Sequence, residues 1–405
     1  MLAIDRGRRR IRWGILPLLL PLILLLPSPG GGAETTHRRP APAEKNPRNA
    51  YVGDAACLPC HQKESAGYQP TAHHLTSQLP DPHTIAGSFD PGSNVLETAN
   101  PSLSFRMTAD PDGFHQTAVN QIAPGKAIEL GQRFDLVVGA GRKSQTYLYW
   151  KGDDLFELPV SWWAETRQWI NSPGYEDGSV RFDRPIVPRC LECHGSSFES
   201  LAPPSNRFNR TSLVLSISCE TCHGPGQQHV ALYTAHSAVA PGVSKAIVNP
   251  ATLPRARQLD GCALCHAGLG TSLAPALSFH PGDTLARYLQ LPAPGSTLGV
   301  DVHGNQMQLL ERSACFRQSS MTCSTCHNVH QVQQDAAAYS PICLQCHQAR
   351  QCGEFAKRGP AIERDCVNCH MPLRKSEALV SQTNQQTLKL TVREHRIAVY
   401  PEAAR

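Results

Sequence analysis

Residues 219–230 read Cys-Glu-Thr-Cys-His-Gly-Pro-Gly-Gln-Gln-His-Val, with two cysteines three positions apart, a histidine directly behind the second, and another histidine at 229 after a Gly-Pro-Gly break. The first five residues are a pattern that recurs along the chain. It is met at Cys57-Cys60-His61, Cys190-Cys193-His194, Cys219-Cys222-His223, Cys262-Cys265-His266, Cys323-Cys326-His327, Cys343-Cys346-His347 and Cys366-Cys369-His370. Fourteen of the 16 cysteines are used in this way. On one helical turn, positions i, i+3 and i+4 share a face, so two thiols and one imidazole point the same way.

That constellation is the attachment signature of c-type haem, in which the two thiols form thioethers and the histidine ligates iron. The competing reading is tetrahedral zinc, which also uses paired Cys-x-x-Cys blocks. A zinc site does not need histidine directly after the second cysteine seven times over. Seven covalently bound haem c groups are therefore expected.

The ligand on the other side of each iron decides whether a haem only passes electrons or also binds a substrate. Of 18 histidines, eleven lie outside the motifs. His73, His229, His303, His330 and His395 are the first candidates for this distal position, with His74, His236 and His280 behind them. His37 falls in a Pro-rich stretch, and His83 and His115 read as loop and strand residues. Methionine is scarce, with Met107, Met307, Met321 and Met371 after the initiator. A set of bis-histidine, low-potential haems is the expectation.

Cys315 and Cys352 are left over. In an oxidising compartment a disulfide between them would close a loop of about 38 residues and contribute on the order of 3–4 kcal/mol.

Five arginines before an apolar run from Ile15 to Leu26, followed by small residues through Ala33, predict an export signal over residues 1–33. The apolar run is shorter than the roughly 20 residues of a bilayer span. The formal charge of the whole chain is +5, but without that leader 33 basic and 32 acidic side chains remain. Seven haems would add roughly fourteen propionates, taking the net charge to about −13, which speaks against nucleic acid as a partner.

Only 6% of residues are aromatic, against 30 glycines and 33 prolines, so a loop-rich chain with porphyrin as its filler is expected. The fold class predicted is mainly α with extensive irregular loops, a multihaem cytochrome c fold with stacked haems as core, plus a small antiparallel β module. The expected parts are a flexible lead-in over 34–50, a first haem segment over 51–95 and a haem-free β module over 96–188. A six-haem domain over 189–372 follows, with a tail over 373–405 that folds back if His395 ligates iron. The module is read from short alternating segments such as SFRMTA, FHQTAV, QTYLYW and LFELPV between Asp-Gly turns. Trp150, Trp162, Trp163 and Trp169 close it, and packing against haem faces is their predicted role.

The segments YVGDAACLPCHQKESAGYQPTAHH (51–74), CETCHGPGQQHV (219–230), CFRQSSMTCSTCHNVH (315–330) and DCVNCHMP (365–372) resemble the multihaem cytochromes of the hydroxylamine oxidoreductase and cytochrome c-552/c-554 superfamily. The resemblance implies closely stacked haem pairs, mostly bis-histidine ligation and a periplasmic location, and it implies distal roles for His73 and His229. Pentahaem nitrite reductases of that group carry lysine in the motif of the catalytic haem, whereas all seven motifs here end in histidine. No tyrosine matches the attachment site of hydroxylamine oxidoreductase, and no catalytic residue is assigned.

The function expected first is electron transfer through a chain of haems between redox partner proteins. A second reading is a multihaem oxidoreductase acting on a small nitrogen or sulfur compound at one haem with an open distal side. A third is a haem subunit of a membrane-associated respiratory complex, with the β module as its docking surface.

Overall fold

The computed structural model describes residues 50–235, 246–268, 270–292, 304–333, 335–384 and 386–404. The expected export signal, nearly all of the lead-in with His37, and the candidate ligands His236 and His303 lie outside the described residues.

Period-two alternation shapes the first half. In the strand Leu103–Asp110, Leu103, Phe105 and Met107 are buried while Ser104, Arg106 and Thr108 between them are less so. This strand lies between Val95–Glu97 and Gly113–Ala123, and Lys126–Arg133 completes a four-stranded antiparallel sheet. Gly125 turns the chain between the last two strands at φ 73°, a left-handed conformation that favours glycine. A seven-stranded sheet follows the order Ser77–Gln78, Leu136–Val138, Ser144–Lys151, Asp154–Glu157 and Arg184–Pro185. The hairpin of Val160–Trp163 and Gln168–Asn171 joins it through Ser144–Lys151.

Residues of both sheets share one apolar cluster that includes Phe105, Met107, Phe134, Val137, Tyr147 and Leu158. Phe134 and Tyr147 stack with ring centres 4.3 Å apart, and Trp169 stands edge-on to Trp162 at 5.2 Å. The tryptophans therefore depart from the role read for them. Trp162 and Trp169 are enclosed in this cluster, and Trp163, 1% exposed, packs on Ile170 and Leu390, so neither they nor it present a face to a ligand. Trp150 packs beside Leu136, Leu148 and Phe208. Strand pairing supplies enough facing side chains to build an interior from protein alone.

The second half carries its motifs on short turns. The helices Pro188–His194, Cys219–His223, Arg255–His266 and Cys366–His370 contain or consist of motif residues, and Ala336–Leu344 runs into another. A 3₁₀ turn at Cys323–Thr325 and the turn after Asp54–Ala56 bear the remaining two. Antiparallel hairpins lie between or after them: Gly195–Ser200 with Phe208–Leu215, Thr271–Ser272 with Leu289–Gln290, and, beyond the last motif, Leu373–Gln382 with Thr387–Arg393.

The expectation of a mainly α fold is thus overturned. The described residues are 28% helical and 28% strand, with several antiparallel sheets. A haem motif needs only about one helical turn, so seven motifs add little helix, and the spacers that look like loops pair as hairpins. The expected tail meets the β module: Ser381 donates to the Asn171 carbonyl and Asn171 donates to the Gln382 carbonyl, each at 2.6 Å. Among the described residues, no helix is long and apolar enough to cross a membrane.

Because the β sheets own an apolar core, Phe134→Ala is expected to destabilise them by about 3–5 kcal/mol. Denaturant unfolding followed by tryptophan fluorescence should show the loss, while haem content per chain stays at the wild-type value.

Candidate haem-binding sites

Each motif is wound so that its histidine returns over its first cysteine. The backbone N–H of His61 donates to the Cys57 carbonyl at 3.0 Å, His327 to Cys323 at 2.9 Å and His347 to Cys343 at 3.0 Å. This turn puts both thiols and the imidazole on one side.

Four motif histidines face a second histidine from a distant part of the chain. Ring centres are 6.2 Å apart for His61 and His229, 6.0 Å for His223 and His330, 6.3 Å for His327 and His395, and 5.9 Å for His266 and His73. The first three pairs are near parallel, at 28°, 22° and 27°, and the fourth is close to perpendicular at 78°. Direct ring stacking would be tighter. With each metal–nitrogen bond about 2.0–2.1 Å, and roughly 1.1 Å more to the ring centre, two imidazoles on opposite sides of one metal sit about 6.2–6.4 Å apart. The His61–His229 and His327–His395 pairs match that span and the other two fall short of it by 0.2–0.3 Å, so the rings stand about as far apart as one iron between them would need.

Hydrogen bonds at the other ring nitrogen agree with this. The Nδ1 of His223 lies 2.9 Å from the Val248 carbonyl, that of His370 is 2.8 Å from the Ala398 carbonyl, and that of His395 is 3.1 Å from the Arg393 carbonyl. A carbonyl only accepts, so Nδ1 carries the proton and Nε2 keeps its lone pair for a metal. Thr76 Oγ1 meets His194 Nδ1 at 2.9 Å. Burial pushes the His266 imidazole down to about 4, with the neighbouring His73 contributing, so it stays neutral at ordinary pH. Burial lowers His73, His327, His330 and His395 as well.

The other candidates fall differently. His74 packs edge-on against Tyr68 at 5.8 Å, and its Nδ1 is buried without a hydrogen-bond partner. His280 donates its backbone N–H to Asp283 at 3.3 Å, within a loop. His83 is exposed in a turn, and His115 on its strand lies 3.2 Å from the Asp110 carboxylate. No disulfide joins Cys315 to Cys352, and both thiols are free. Cys315 instead lies close enough to Cys326 and Cys343 to act on their ionisation.

Motif sulfurs also meet across the chain. Cys57 is within hydrogen-bonding reach of Cys219, Cys193 of Cys265, and Cys262 of Cys323. Cys343 lies near both Cys326 and Cys366. Motifs 1 and 3 thus approach each other, as do motifs 2, 4, 5, 6 and 7 in series.

Sequence reasoning missed the side chains that brace these turns. Glu192, inside the second motif, pairs with Arg189 at 2.6 Å and accepts the Leu277 N–H at 2.8 Å. Arg189 reaches on to the Leu264 carbonyl in the fourth motif. Asp54 accepts the Cys219 N–H at 2.9 Å, tying the first motif to the third. These carboxylates and this guanidinium carry no spacing signature, so nothing in the pattern marks them.

Residues 159–224, which span the second and third motifs, match the family described as cytochrome c554 and c-prime. No curated protein sequence matches the chain. Among solved structures, the outer cell wall cytochrome OcwA aligns over 86% of this chain and 79% of its own, with 17% identity and a TM-score of 0.52. The undecahaem cytochrome from the S-layer of Carboxydothermus ferrireducens aligns over 83% of this chain and 52% of its own, with 16% identity and a TM-score of 0.36. The family match covers two of the seven motifs, and the likeness to OcwA is one of fold.

A close approach makes the His223–His330 pair testable. A Cβ added at Gly67 would lie 2.4 Å from the His330 carbonyl oxygen, whereas one at Gly353 meets nothing within 4 Å. Gly67→Ala should cost about 1–3 kcal/mol by overpacking and push His330 away from His223. The expected readout is a lower unfolding midpoint with an altered ferric low-spin electron paramagnetic resonance signal, and neither change in Gly353→Ala.

Proposed function

We propose that this chain is an exported electron carrier that binds seven haem c groups, one at each Cys-x-x-Cys-His motif, and passes electrons along them between redox partner proteins. The observation that carries the reading is the set of four histidine pairs with ring centres 5.9–6.3 Å apart. His61 with His229, His223 with His330, His266 with His73 and His327 with His395 would be the axial ligands of four irons. Haem, when bound, supplies the one-electron couple.

The protein's part is to hold each imidazole neutral, oriented and in place before and after the electron moves. Two nitrogen ligands in both oxidation states leave little to reorganise, which suits transfer better than substrate binding. The sulfur approaches support neighbouring sites 1 and 3, 2 and 4, 4 and 5, 5 and 6, and 6 and 7. An extracytoplasmic location follows from the predicted export signal and from the cell-wall setting named for OcwA.

Intact mass and alkaline pyridine spectra of the native protein should give seven haems per chain, and a chain without tetrapyrrole, or with zinc on its thiolates, would end this proposal. His229→Met is expected to keep the fold and raise the potential of one haem, read by redox titration. An unchanged titration would remove His229 from the ligand set.

A further inference from the structure

Glu220 occupies the first variable position of the third motif, where thioether attachment asks nothing of it, yet it is 3% exposed. A buried carboxylate is expensive unless its oxygens are occupied. Here they are: Oε1 accepts the Val52 N–H at 3.0 Å and the Gly226 N–H at 2.7 Å, and Oε2 accepts Val52 at 3.1 Å and Gly53 at 2.8 Å.

The donors belong to two segments that must meet. Val52 and Gly53 lead directly into Asp54–Ala56 and the first motif, which ends in His61. Gly226 caps the helix Gln227–Thr234, which carries His229. One side chain thus holds the entry to the segment bearing one imidazole and the start of the helix bearing the other. The same two segments also clasp directly, with Gln227 N–H donating to the Ala50 carbonyl at 3.1 Å and Ala50 N–H to Gln227 Oε1 at 3.0 Å. The space is close-fitted, since a Cβ at Gly226 would come 3.2 Å from Glu220 Oε1 and 3.3 Å from Val52.

We propose that Glu220 is the positioning residue for the first haem site: from within the third motif, its carboxylate sets the distance and angle between His61 and His229. The proposal rests on the axial pairing of those two histidines. It also makes site 1 dependent on the third motif being wound, because the helix Cys219–His223 presents the carboxylate.

Glu220→Gln is the first test, because the amide keeps the size but replaces one acceptor oxygen with an NH₂ that faces backbone N–H donors. Haem stoichiometry is expected to stay at the wild-type value. One ferric low-spin signal should shift or turn high-spin, and one midpoint potential should move. Glu220→Asp, which keeps the charge but shortens the reach, should move the same signal in the same direction by less, and it serves if the glutamine variant does not mature.

In a His229→Met background, Glu220→Gln should change no further haem signal, because the ligand it positions is gone. If His229→Met alters one haem but both Glu220 variants give wild-type spectra and potentials, the positioning role is wrong. If His229→Met itself alters nothing, the axial assignment has failed instead. If Glu220→Gln changes further haem signals in the His229→Met background, the residue is a general brace and not a positioning group for site 1.

Discussion

The second half of the fold is organised by pairs of imidazoles held a metal's width apart. Each pair is drawn from segments far apart in sequence: His229 follows the third motif but faces the histidine of the first, and His330 follows the fifth but faces that of the third. His395 in the tail faces the fifth motif, and His73 after the first faces the fourth. No motif in these four pairs closes its site with its own neighbouring chain. Closing a site is therefore a tertiary event that spends loop entropy, and metal affinity of this kind is also folding free energy. The interleaving makes the sites mutually dependent, which a row of separate one-haem modules would not be.

Two kinds of interior coexist. The β sheets bury Phe105, Phe134, Tyr147 and the tryptophan pair in a protein-only cluster. The motif-bearing half has smaller apolar clusters, such as Leu264, Leu285 and Leu289. Histidines there sit partly enclosed with lowered proton affinity, and burial is the leading cause at His73, His266, His327 and His395. A neutral imidazole with a fixed Nδ1 proton, as at His395, keeps its Nε2 lone pair directed and available.

The motifs were legible in the sequence because covalent chemistry dictates their spacing residue by residue. His73, His229, His330 and His395 could be picked out as candidates, but their partners could not, since pairing is decided by how distant turns meet. His74, ranked behind His73 in the sequence, packs against Tyr68 with its Nδ1 unpaired. The fold class was misread for a related reason. Thr387–Arg393 alternates Leu388, Leu390 and Val392 with polar residues as strands do, whereas Phe208–Leu215 shows no such alternation and lies between two haem motifs, which favours a reading as spacer. The tryptophans were misassigned because composition alone cannot show that paired strands already fill their own interior.

The braces of the motif turns lay where sequence patterns carry no information. A Cys-x-x-Cys-His block constrains three residues and leaves two open, and this chain puts buried carboxylates at such open positions twice. Glu192 links the second motif to Arg189, and through it to the Leu264 carbonyl of the fourth motif. Glu220 links the third motif to the approach to the first. The same two motif pairs bring sulfurs together, Cys193 with Cys265 and Cys219 with Cys57. Where attachment chemistry leaves a side chain unassigned, that side chain is free to register one site against its neighbour. A charge-assisted hydrogen bond suits that task because it is stronger and more directional than apolar contact, at the cost of enclosing a charge. In these two motifs, one of the two residues that the Cys-x-x-Cys-His pattern leaves open ties its turn to another motif or to the approach to one.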